Sequence, residues 1–294
     1  MRKKNRVLLI GGEGFLGSHI CTELLDQGYS VIILDIQKET YSKNKNLTYV
    51  RGDISDIKLL NKLIKQVSIV YHFAGIASIE YSIKNPSTTI NQNIINTVNI
   101  VELCIKYKIE KFIFASSLYV YNNFGSFYRA TKQACELIIQ SYSEQFDLKY
   151  IFLRFGSLYG SNAQSWNGIM KYVTSIYKDK KITYNGSGNE KREYVHVKDA
   201  AKISVEVLKN KVINKAFIIT GNQNYTSKEI LKMIFEILNL KENIKFTNKP
   251  SEYHYYSTPY RYNPISANKL TVNNFRDIGQ GILEIIHKIE EKND

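Results

Sequence analysis

Three residues in one short stretch have side chains and a spacing suited to moving a proton. Ser117, Tyr128 and Lys132 lie within "SSLYVYNNFGSFYRATK", residues 116–132. Tyr128 and Lys132 are four residues apart in a predicted helix and therefore share one face. A phenol has a reference pKa of about 10, and a nearby ammonium would stabilise its phenolate. The stretch predicts a tyrosine base beside a hydroxyl-orienting serine, although its five aromatic rings could also simply pack into a core.

Short apolar runs alternate with helical patterns over the first half of the chain. This strand–helix alternation predicts a parallel sheet with helices on both faces. Six strands are predicted, at "RVLLIGG", "YSVIILD", "LTYVRGD", "VSIVYHFAG", "KFIFASS" and "LKYIFLRFG". Helices are predicted over residues 15–27, 56–66, 86–107 and 128–146. Ser117 therefore falls at the end of the fifth strand, on the edge where parallel sheets gather ligand sites.

The alternation loosens after residue 156. Loop-rich segments such as "YGSNAQSWNG" and "YHYYSTPYRYNP" follow, with helices between them. One more strand, "KAFIITG" at residues 215–221, is predicted to return to the sheet, and Thr226 and Glu229 form a predicted capping box for the next helix. The predicted fold class is therefore α/β, with a doubly wound parallel sheet over residues 1–160 and mainly a smaller substrate-binding lobe over 161–294.

A glycine-rich loop joins the first strand to the first helix. "IGGEGFLGSH" places Gly11, Gly14 and Gly17 where a tight turn allows the backbone to approach a pyrophosphate. Asp35 ends the second strand, and its carboxylate can accept hydrogen bonds from the ribose hydroxyls of NAD. The same negative charge would repel the 2′-phosphate of NADP, and the carboxylate of Glu13 would add to this repulsion. A plain glycine turn with a surface aspartate is the alternative, but the strand–loop–helix context favours NAD.

The chain resembles the extended short-chain dehydrogenases/reductases, in their nucleotide-sugar epimerase/dehydratase branch. The resemblance is carried by "GGEGFLGSH", "RGDISD", "HFAGIAS", "NQNIINT", the Ser/Tyr-x-x-x-Lys set and "REYVHVKDAA". It implies a Rossmann-type sheet, a bound NAD, and Ser117, Tyr128 and Lys132 as catalytic residues. It also implies cofactor contacts for a longer set, namely Gly11, Gly14, Phe15, Leu16, Gly17, Asp35, Asp53, Ile54, Phe73, Ala74, Gly75, Asn93, Tyr128 and Lys132.

Two departures from the family pattern narrow the expected reaction. Sugar-nucleotide 4,6-dehydratases carry an Asp-Glu pair directly after the catalytic Thr or Ser, whereas this chain has Leu118 and Tyr119. Neither side chain protonates a leaving hydroxyl efficiently, so dehydration is disfavoured. Tyr128 follows Ser117 by eleven residues, a shorter connection than relatives usually have. That stretch contains no Cys or His to suggest 3,5-epimerisation, although later loops could supply one.

The resemblance implies oxidation of a sugar hydroxyl at C4, with Tyr128 taking the hydroxyl proton. If the keto-sugar rotates and takes hydride back on its other face, the enzyme is a 4-epimerase; if the ketone leaves, it is a 4-dehydrogenase. The likeness extends to enzymes of bacterial surface-polysaccharide pathways, and so to a GDP- or UDP-linked sugar. A non-catalytic NAD-binding protein is the rival class.

The substrate side of the site is predicted from residues near and beyond the sixth strand. A guanidinium forks onto phosphate oxygens, so Arg192 is expected to bind the substrate pyrophosphate unless it pairs with Glu190 or Glu193. His196 follows a strand pattern and is expected to be structural. No metal is expected, because no His, Cys, Asp or Glu cluster has metal-ligand spacing. The predicted substrate contacts are Ser117, Tyr159, Asn162, Asn167, Arg192 and Arg261.

The chain of 294 residues has a net charge of +13, yet only eight of its basic residues are Arg and its lysines are dispersed. We interpret this charge as surface solvation and expect no nucleic-acid partner. Cys21, Cys104 and Cys135 have no CxxC spacing, and no apolar run suits a signal peptide or membrane span. These features predict a cytoplasmic protein with no membrane partner. Helices 86–107 and 128–146 pair two subunits in relatives, which implies a homodimer.

Overall fold

Eight parallel strands form the central sheet of the protein. The computed structural model describes residues 5–209, 212–249, 254–258, 268–270 and 276–291. The strands of this part of the chain are β1 Arg6–Ile10, β2 Ser30–Asp35, β3 Leu47–Arg51, β4 Ile69–His72, β5 Lys111–Ser117, β6 Tyr150–Phe155, β7 Ser157–Tyr159, β8 Ile182–Tyr184, β9 Lys191–His196, β10 Lys215–Ile219, β11 Asn224–Thr226, β12 Ile244–Phe246 and β13 Asn268–Leu270. The order in the sheet is β13-β10-β6-β5-β4-β1-β2-β3, and every neighbouring pair is parallel.

Helices cover both faces of this sheet. The described helices are α1 Phe15–Asp26, α2 Ile57–Ile64, α3 Ile79–Lys84, α4 Pro86–Ile90, α5 Asn96–Lys106, α6 Ser126–Phe146, α7 Gly168–Asp179, α8 Val197–Glu206, α9 Ser227–Ile237 and α10 Ile278–Glu290. Helices α1 and α8 cover one face, and α2, α5 and α6 cover the other. None of the described helices is long and apolar enough to cross a membrane.

Burial on both faces explains why the sheet strands read as unbroken apolar runs. Within β1, Val7 and Leu9 pack against one layer of helices, whereas Leu8 and Ile10 pack against the other. Successive side chains of a strand point to opposite faces, so both sets must be apolar. The predicted doubly wound α/β fold is confirmed.

The predicted helix over residues 86–107 is continuous but not uniform. Pro86 begins α4, where the missing N–H of proline has no helical partner to lose. A π-helical turn, Asn91–Ile95, then joins α4 to α5. Helix α6 begins at Ser126, two residues before the predicted start, so Tyr128 and Lys132 both lie in its first two turns. Gly125 precedes it with a φ of +94°, a backbone conformation that glycine adopts readily.

Residues beyond 160 contribute to the central sheet with its helices and also form a separate group of helices. Strands β10 and β13 extend the central sheet, and α8 packs on α1, so the predicted returning strand lies in the sheet as β10. Helices α7, α9 and α10 instead enclose a separate apolar cluster. Helix α9 begins with the predicted capping box, in which Thr226 and Glu229 exchange hydrogen bonds. The division into domains at residue 160 stays a prediction.

Candidate active site

A cleft of about 1140 Å³ follows the carboxyl ends of the parallel strands. It opens where the strand order reverses, because the chain leaves β1 toward β2 and β3 and resumes on the other side with β4. Ligands of open α/β sheets bind at this kind of position. The glycine loop lines one end of the cleft, and Tyr172, Asn185 and Arg192 line the other.

The glycine loop leaves no room for a side chain at two positions. Gly11 has a φ of +87°, and an added Cβ would lie 2.6 Å from the Ala74 nitrogen. An added Cβ on Gly17 would lie 2.0 Å from the carbonyl oxygen of Gly11. Gly11, Gly14 and Gly17 all line the cleft at the N-terminus of α1. This close-packed cradle fits the pyrophosphate of a dinucleotide.

Asp35 presents a fixed carboxylate beside that cradle. One of its oxygens, Oδ2, accepts a hydrogen bond from the Glu13 nitrogen at 2.9 Å, and Oδ1 accepts one from the Gln37 nitrogen at 3.0 Å. Asp35 is buried but lines the cleft. Glu13 turns its own carboxylate to Thr40, whose nitrogen and hydroxyl both donate to it. The Asp35 carboxylate can therefore accept hydrogen bonds from ribose hydroxyls. The Glu13 carboxylate instead binds Thr40 in the loop after β2.

Most of the other predicted cofactor residues also line this end of the cleft. They come from the first turn of α1, the loop after β3 and the loop after β4, and they are Phe15, Leu16, Asp53, Ile54, Phe73, Ala74 and Gly75. Their distribution follows from the parallel sheet, which brings the loops after β1, β2, β3 and β4 to one edge.

Asn93 lies behind the wall of the cleft. Its Oδ1 accepts a hydrogen bond from the Ile76 nitrogen at 2.8 Å, and its Nδ2 donates to the Ile76 carbonyl and the Thr131 hydroxyl, both at 3.0 Å. These bonds occupy the side-chain amide inside the protein, where only 3% of the residue is exposed. The predicted direct contact with the cofactor is therefore corrected: Asn93 positions the loop after β4 against α6.

The predicted catalytic residues come together in the middle of the cleft. Ser117 ends β5, while Tyr128 and Lys132 project from α6, and all three line the cleft although each is largely buried. The Ser117 side chain lies beside the Tyr128 phenol, where it acts to lower the pKa of that group. The ammonium of Lys132 donates to the Ala115 carbonyl at 2.7 Å and lies 4.6 Å from the centre of the Phe114 ring.

Burial is the largest influence on the pKa of Tyr128. Burial raises the pKa of Tyr128, and the neighbouring Ser117 side chain opposes this only in part. Burial also lowers the pKa of Lys132, whose ammonium is directed to the Ala115 carbonyl. Lys132 by itself therefore does not lower the pKa of Tyr128. Additional positive charge at the site is needed to favour the phenolate.

A buried ion pair supports the floor beneath these residues. Glu136 lies one turn after Lys132 and accepts hydrogen bonds from the Ser116 hydroxyl at 2.5 Å and from Nε and Nη2 of Arg154 at 2.9 and 2.5 Å. Arg154 also donates to the Tyr121 hydroxyl at 2.5 Å. The network joins β5, α6 and β6 to the 3₁₀ turn Leu118–Tyr121. Removing one partner of such a buried pair typically costs about 3–5 kcal/mol.

Arg192 lies at the far end of the cleft from the glycine loop. Its Nη1 donates to the carbonyls of Lys191 and Tyr256 at 3.0 and 3.3 Å, and its guanidinium lies 4.3 Å from the centre of the Tyr255 ring. Glu190 accepts hydrogen bonds from Ser187 and Gly188. The Arg192 side chain is half-buried and lines the cleft, so its position is compatible with the predicted phosphate contact.

The structure corrects two predicted substrate contacts, because neither Tyr159 nor Asn162 lines the cleft. Tyr159 is 1% exposed and packs against Gly281 and His196 in the cluster of α7, α9 and α10, because its ring fills the space left by the glycine. Asn162 lines a separate, smaller cavity. Asn167 does line the main cleft, where its side chain caps α7 and donates to the Leu158 carbonyl. Arg261 lies outside the described residues.

The structure adds three aromatic residues that sequence reasoning did not assign. Tyr119 follows Ser117 in the 3₁₀ turn, and its hydroxyl lies 2.5 Å from Nδ1 of His254. Tyr255 packs on Tyr119 with a ring-centre distance of 5.0 Å, and all three residues line the cleft. The aromatic density of "YHYYSTPYRYNP" was the available signal. Its position above the active site depends on tertiary contacts between residues 135 positions apart.

Other reactive side chains are held by structural contacts. His196 caps α8 and is buried, with its Nε2 3.3 Å from the Glu284 carboxylate. The three cysteines are buried as free thiols. Within the described part of the chain, no three His, Cys, Asp or Glu residues are grouped so as to hold a metal ion.

The cradle, the carboxylate at the end of β2 and the Ser–Tyr–Lys set together define a dinucleotide-dependent oxidoreductase. The sequence profile of the NAD dependent epimerase/dehydratase family matches residues 7–220. The chain belongs to this family. The predicted family, the NAD cofactor and the enzymatic class are thereby confirmed.

Individual relatives agree with this assignment. The chain is similar to a Methanocaldococcus jannaschii protein named "Putative UDP-glucose 4-epimerase", with 32% identity over 230 residues that cover 71% of this chain and 75% of that protein. It is also similar to the human dTDP-D-glucose 4,6-dehydratase, with 27% identity over 275 residues that cover 84% of this chain and 76% of that protein. Epimerases and dehydratases therefore both occur among the relatives.

Solved structures show the same fold. A UDP-glucuronic acid 4-epimerase from Bacillus cereus, in complex with UDP-glucuronic acid and NAD, superposes with a TM-score of 0.85. The match covers 98% of this chain and 99% of that chain at 22% identity. At this identity the likeness establishes the fold alone.

Proposed function

We propose that the protein oxidises the C4 hydroxyl of a nucleotide-linked sugar, as a 4-epimerase or 4-dehydrogenase. One observation carries the proposal: Ser117, Tyr128 and Lys132 meet midway along a cleft that continues from the glycine cradle to Arg192. This cleft has room for a dinucleotide at one end and a second nucleotide at the other. A UDP-linked sugar is the first choice, because relatives and solved structures of this fold are named for UDP-sugars.

The three central residues have separate tasks in this reaction. Ser117 orients the sugar hydroxyl toward Tyr128, and Tyr128 accepts its proton. Lys132 holds a positive charge below them and can donate to ribose hydroxyls once its bond to Ala115 is exchanged. When bound, NAD supplies the hydride acceptor, and its oxidised ring supplies the additional positive charge that the phenolate of Tyr128 needs.

Basic side chains at the far end of the cleft fit a diphosphate. Arg192 lies there with Lys171 and Lys181, and all three line the cleft. A guanidinium can form two parallel hydrogen bonds with phosphate oxygens, whereas the ammonium groups act as point charges. These residues would hold the nucleotide while the sugar lies against Tyr128.

Dehydration remains disfavoured by the residues after Ser117. Leu118 is 1% exposed and apolar, so it cannot act as an acid. Burial raises the pKa of Tyr119 well above its ordinary value, which makes the phenol a weak proton donor at neutral pH. The cytoplasmic location, the homodimer, a GDP-linked alternative substrate and a role in surface-polysaccharide synthesis all stay predictions.

The decisive experiment is turnover of defined sugar nucleotides by the purified, NAD-loaded protein. UDP-glucose, UDP-glucuronic acid and GDP-mannose would be supplied separately, and products would be resolved by chromatography and mass spectrometry. An epimerase gives a product of unchanged mass, whereas a dehydrogenase gives one about two mass units lighter together with reduced cofactor. Released nucleotide from the denatured protein would identify the bound cofactor.

The matched variants are Tyr128→Phe and Tyr177→Phe. The first removes only the proposed base, so we expect turnover to fall by about 10²-fold or more while NAD binding persists. Tyr177 lies on α7 outside the cleft, so its variant should keep full turnover. Unchanged turnover of Tyr128→Phe with a substrate accepted by the unmodified protein would refute the mechanism.

A further inference from the structure

Tyr119 and His254 form a hydrogen-bonded pair of titratable side chains in the cleft. The Tyr119 hydroxyl and the His254 Nδ1 are 2.5 Å apart, well within hydrogen-bond distance. The Tyr119 ring meets the Tyr128 ring edge-on, with centres 6.0 Å apart. His254 is exposed to the cleft, so its ring can contact a bound molecule. Tyr119 therefore contacts the proposed base Tyr128, and its hydroxyl holds His254 in the same cleft.

The surroundings hold the imidazole in place and favour its neutral form. Tyr255, the next residue, packs between the Tyr119 ring at 5.0 Å and the Arg192 guanidinium at 4.3 Å. The protein walls around His254 and the charge of Arg192 lower its pKa, whereas Glu80 acts in the opposite direction. Tyr119 itself stays a neutral phenol. A neutral, oriented imidazole is an effective general base.

We propose that His254, oriented by Tyr119, catalyses enolisation of a 4-keto sugar nucleotide at the carbon next to C4. This inference rests on the proposed function, which generates a ketone at C4. A carbonyl makes the hydrogens on its neighbouring carbons acidic, so a base beside the oxidation site has a substrate as soon as the ketone forms. The activity would permit inversion at C3 or C5, in addition to the change at C4.

The step is balanced without any oxidant or reductant. The C–H bond next to the carbonyl breaks, and the proton passes to the His254 imidazole. The electron pair forms a carbon–carbon double bond, and the carbonyl electrons move to the C4 oxygen, where the hydroxyls of Ser117 and Tyr128 can donate hydrogen bonds. Return of a proton to carbon restores the ketone. A proton exchanged with solvent in between leaves an isotopic mark.

The test supplies the ketone directly, so that it does not depend on oxidation at C4. NAD-loaded protein is incubated in D₂O with UDP-4-keto-6-deoxyglucose, and the recovered sugar nucleotide is analysed by mass spectrometry and NMR. We expect enzyme-dependent gain of about one mass unit for each exchanged hydrogen, located at C3 or C5. Deuterium gain no greater than in the protein-free control would overturn the proposal, even if the protein oxidises C4.

Three variants assign the exchange to the pair. His254→Gln keeps a hydrogen-bonding side chain but no base, so exchange should fall at least about tenfold. Tyr119→Phe should slow exchange by a smaller factor because the imidazole loses its orienting bond. Tyr256→Phe alters an exposed ring two residues away and should exchange like the unmodified protein. Full exchange by His254→Gln would overturn the assignment. C4 turnover of the same variants reports independently on the proposed function.

Discussion

At the scale of single residues, neighbouring groups decide what each side chain can do. Tyr119 and Tyr128 are two tyrosines in edge-to-face contact, and burial raises the pKa of both. Tyr128 has the Ser117 side chain beside it, which suits it to a sugar hydroxyl, whereas the Tyr119 hydroxyl is hydrogen-bonded to His254. In the functions that we propose, the same residue type therefore acts as a base at one position and as a positioning group at the other.

Asp35 determines the choice between the two nicotinamide cofactors in our interpretation. We predict that Asp35→Asn reduces the preference for NAD over NADP by about tenfold or more, because the repelling charge is removed while the side-chain volume is kept. Dissociation constants for both cofactors, measured by titration calorimetry, check this. Asp56→Asn is the matched control, since Asp56 caps α2 outside the cleft. An unchanged preference in Asp35→Asn would contradict the assignment.

At the scale of elements, the junction of β1, the glycine loop and α1 is packed backbone against backbone. Main-chain atoms lie so close to Gly11 and to Gly17 that a methyl group on either residue must displace them. Main chain cannot rotate away as a side chain can. Helix α6 carries Tyr128 and Lys132 on its cleft face and Glu136 one turn below, so one element positions the base, its ammonium and the supporting ion pair.

Gly17→Ala tests the close approach in α1. The added Cβ would lie 2.0 Å from the Gly11 oxygen, so we expect loss of NAD binding and a fall in the free energy of unfolding of about 3 kcal/mol or more. Gly14→Ala is the control, because its Cβ would lie 3.3 Å from the same oxygen and needs only a small shift. Denaturant unfolding compares the free energy of unfolding of the two variants. Equal effects of the two substitutions would show that this contact is not the cause.

At the scale of the whole molecule, the cleft is built from residues that are far apart in the chain. Loops after the sheet strands supply the cofactor end, while α7, β9 and residues 254–255 supply the other. The continuous helix formed by α4, the π-helical turn and α5 packs against α6, and these elements leave large apolar side chains exposed. Exposed fractions are 49% for Ile95, 65% for Leu137 and 58% for Phe146. Large apolar side chains exposed on packed helices are a feature of interaction surfaces.

The predicted homodimer can be tested on that face. We expect the protein to have twice its 34.0 kDa chain mass in light scattering, and Leu137→Glu to shift it toward the monomer because a charge would be buried in the interface. Leu283→Glu is the control, because Leu283 is also an exposed leucine but belongs to α10 and not to the helices of this face. A monomeric unmodified protein, or an unaffected Leu137→Glu, would exclude this interface.

Local sequence patterns were sufficient to predict the sheet, the glycine cradle and the proposed catalytic set. Each depends on local information: buried parallel strands are apolar on both faces, tight loops require glycine, and residues four apart share a helix face. Gly11, Asp35 and Tyr128 could therefore be placed from their immediate neighbours, and the strand order then brought them to one edge.

Contacts between distant segments select which other polar and aromatic residues face the cleft. Tyr159 follows the sixth strand as expected for a substrate residue, yet its ring fills the space above Gly281, which lies more than a hundred positions away. Asn93 faces inward because the backbone of Ile76 occupies its amide, and His254 reaches the site through Tyr119. Direction and partner arise from packing between distant segments, which residue type and local spacing do not encode.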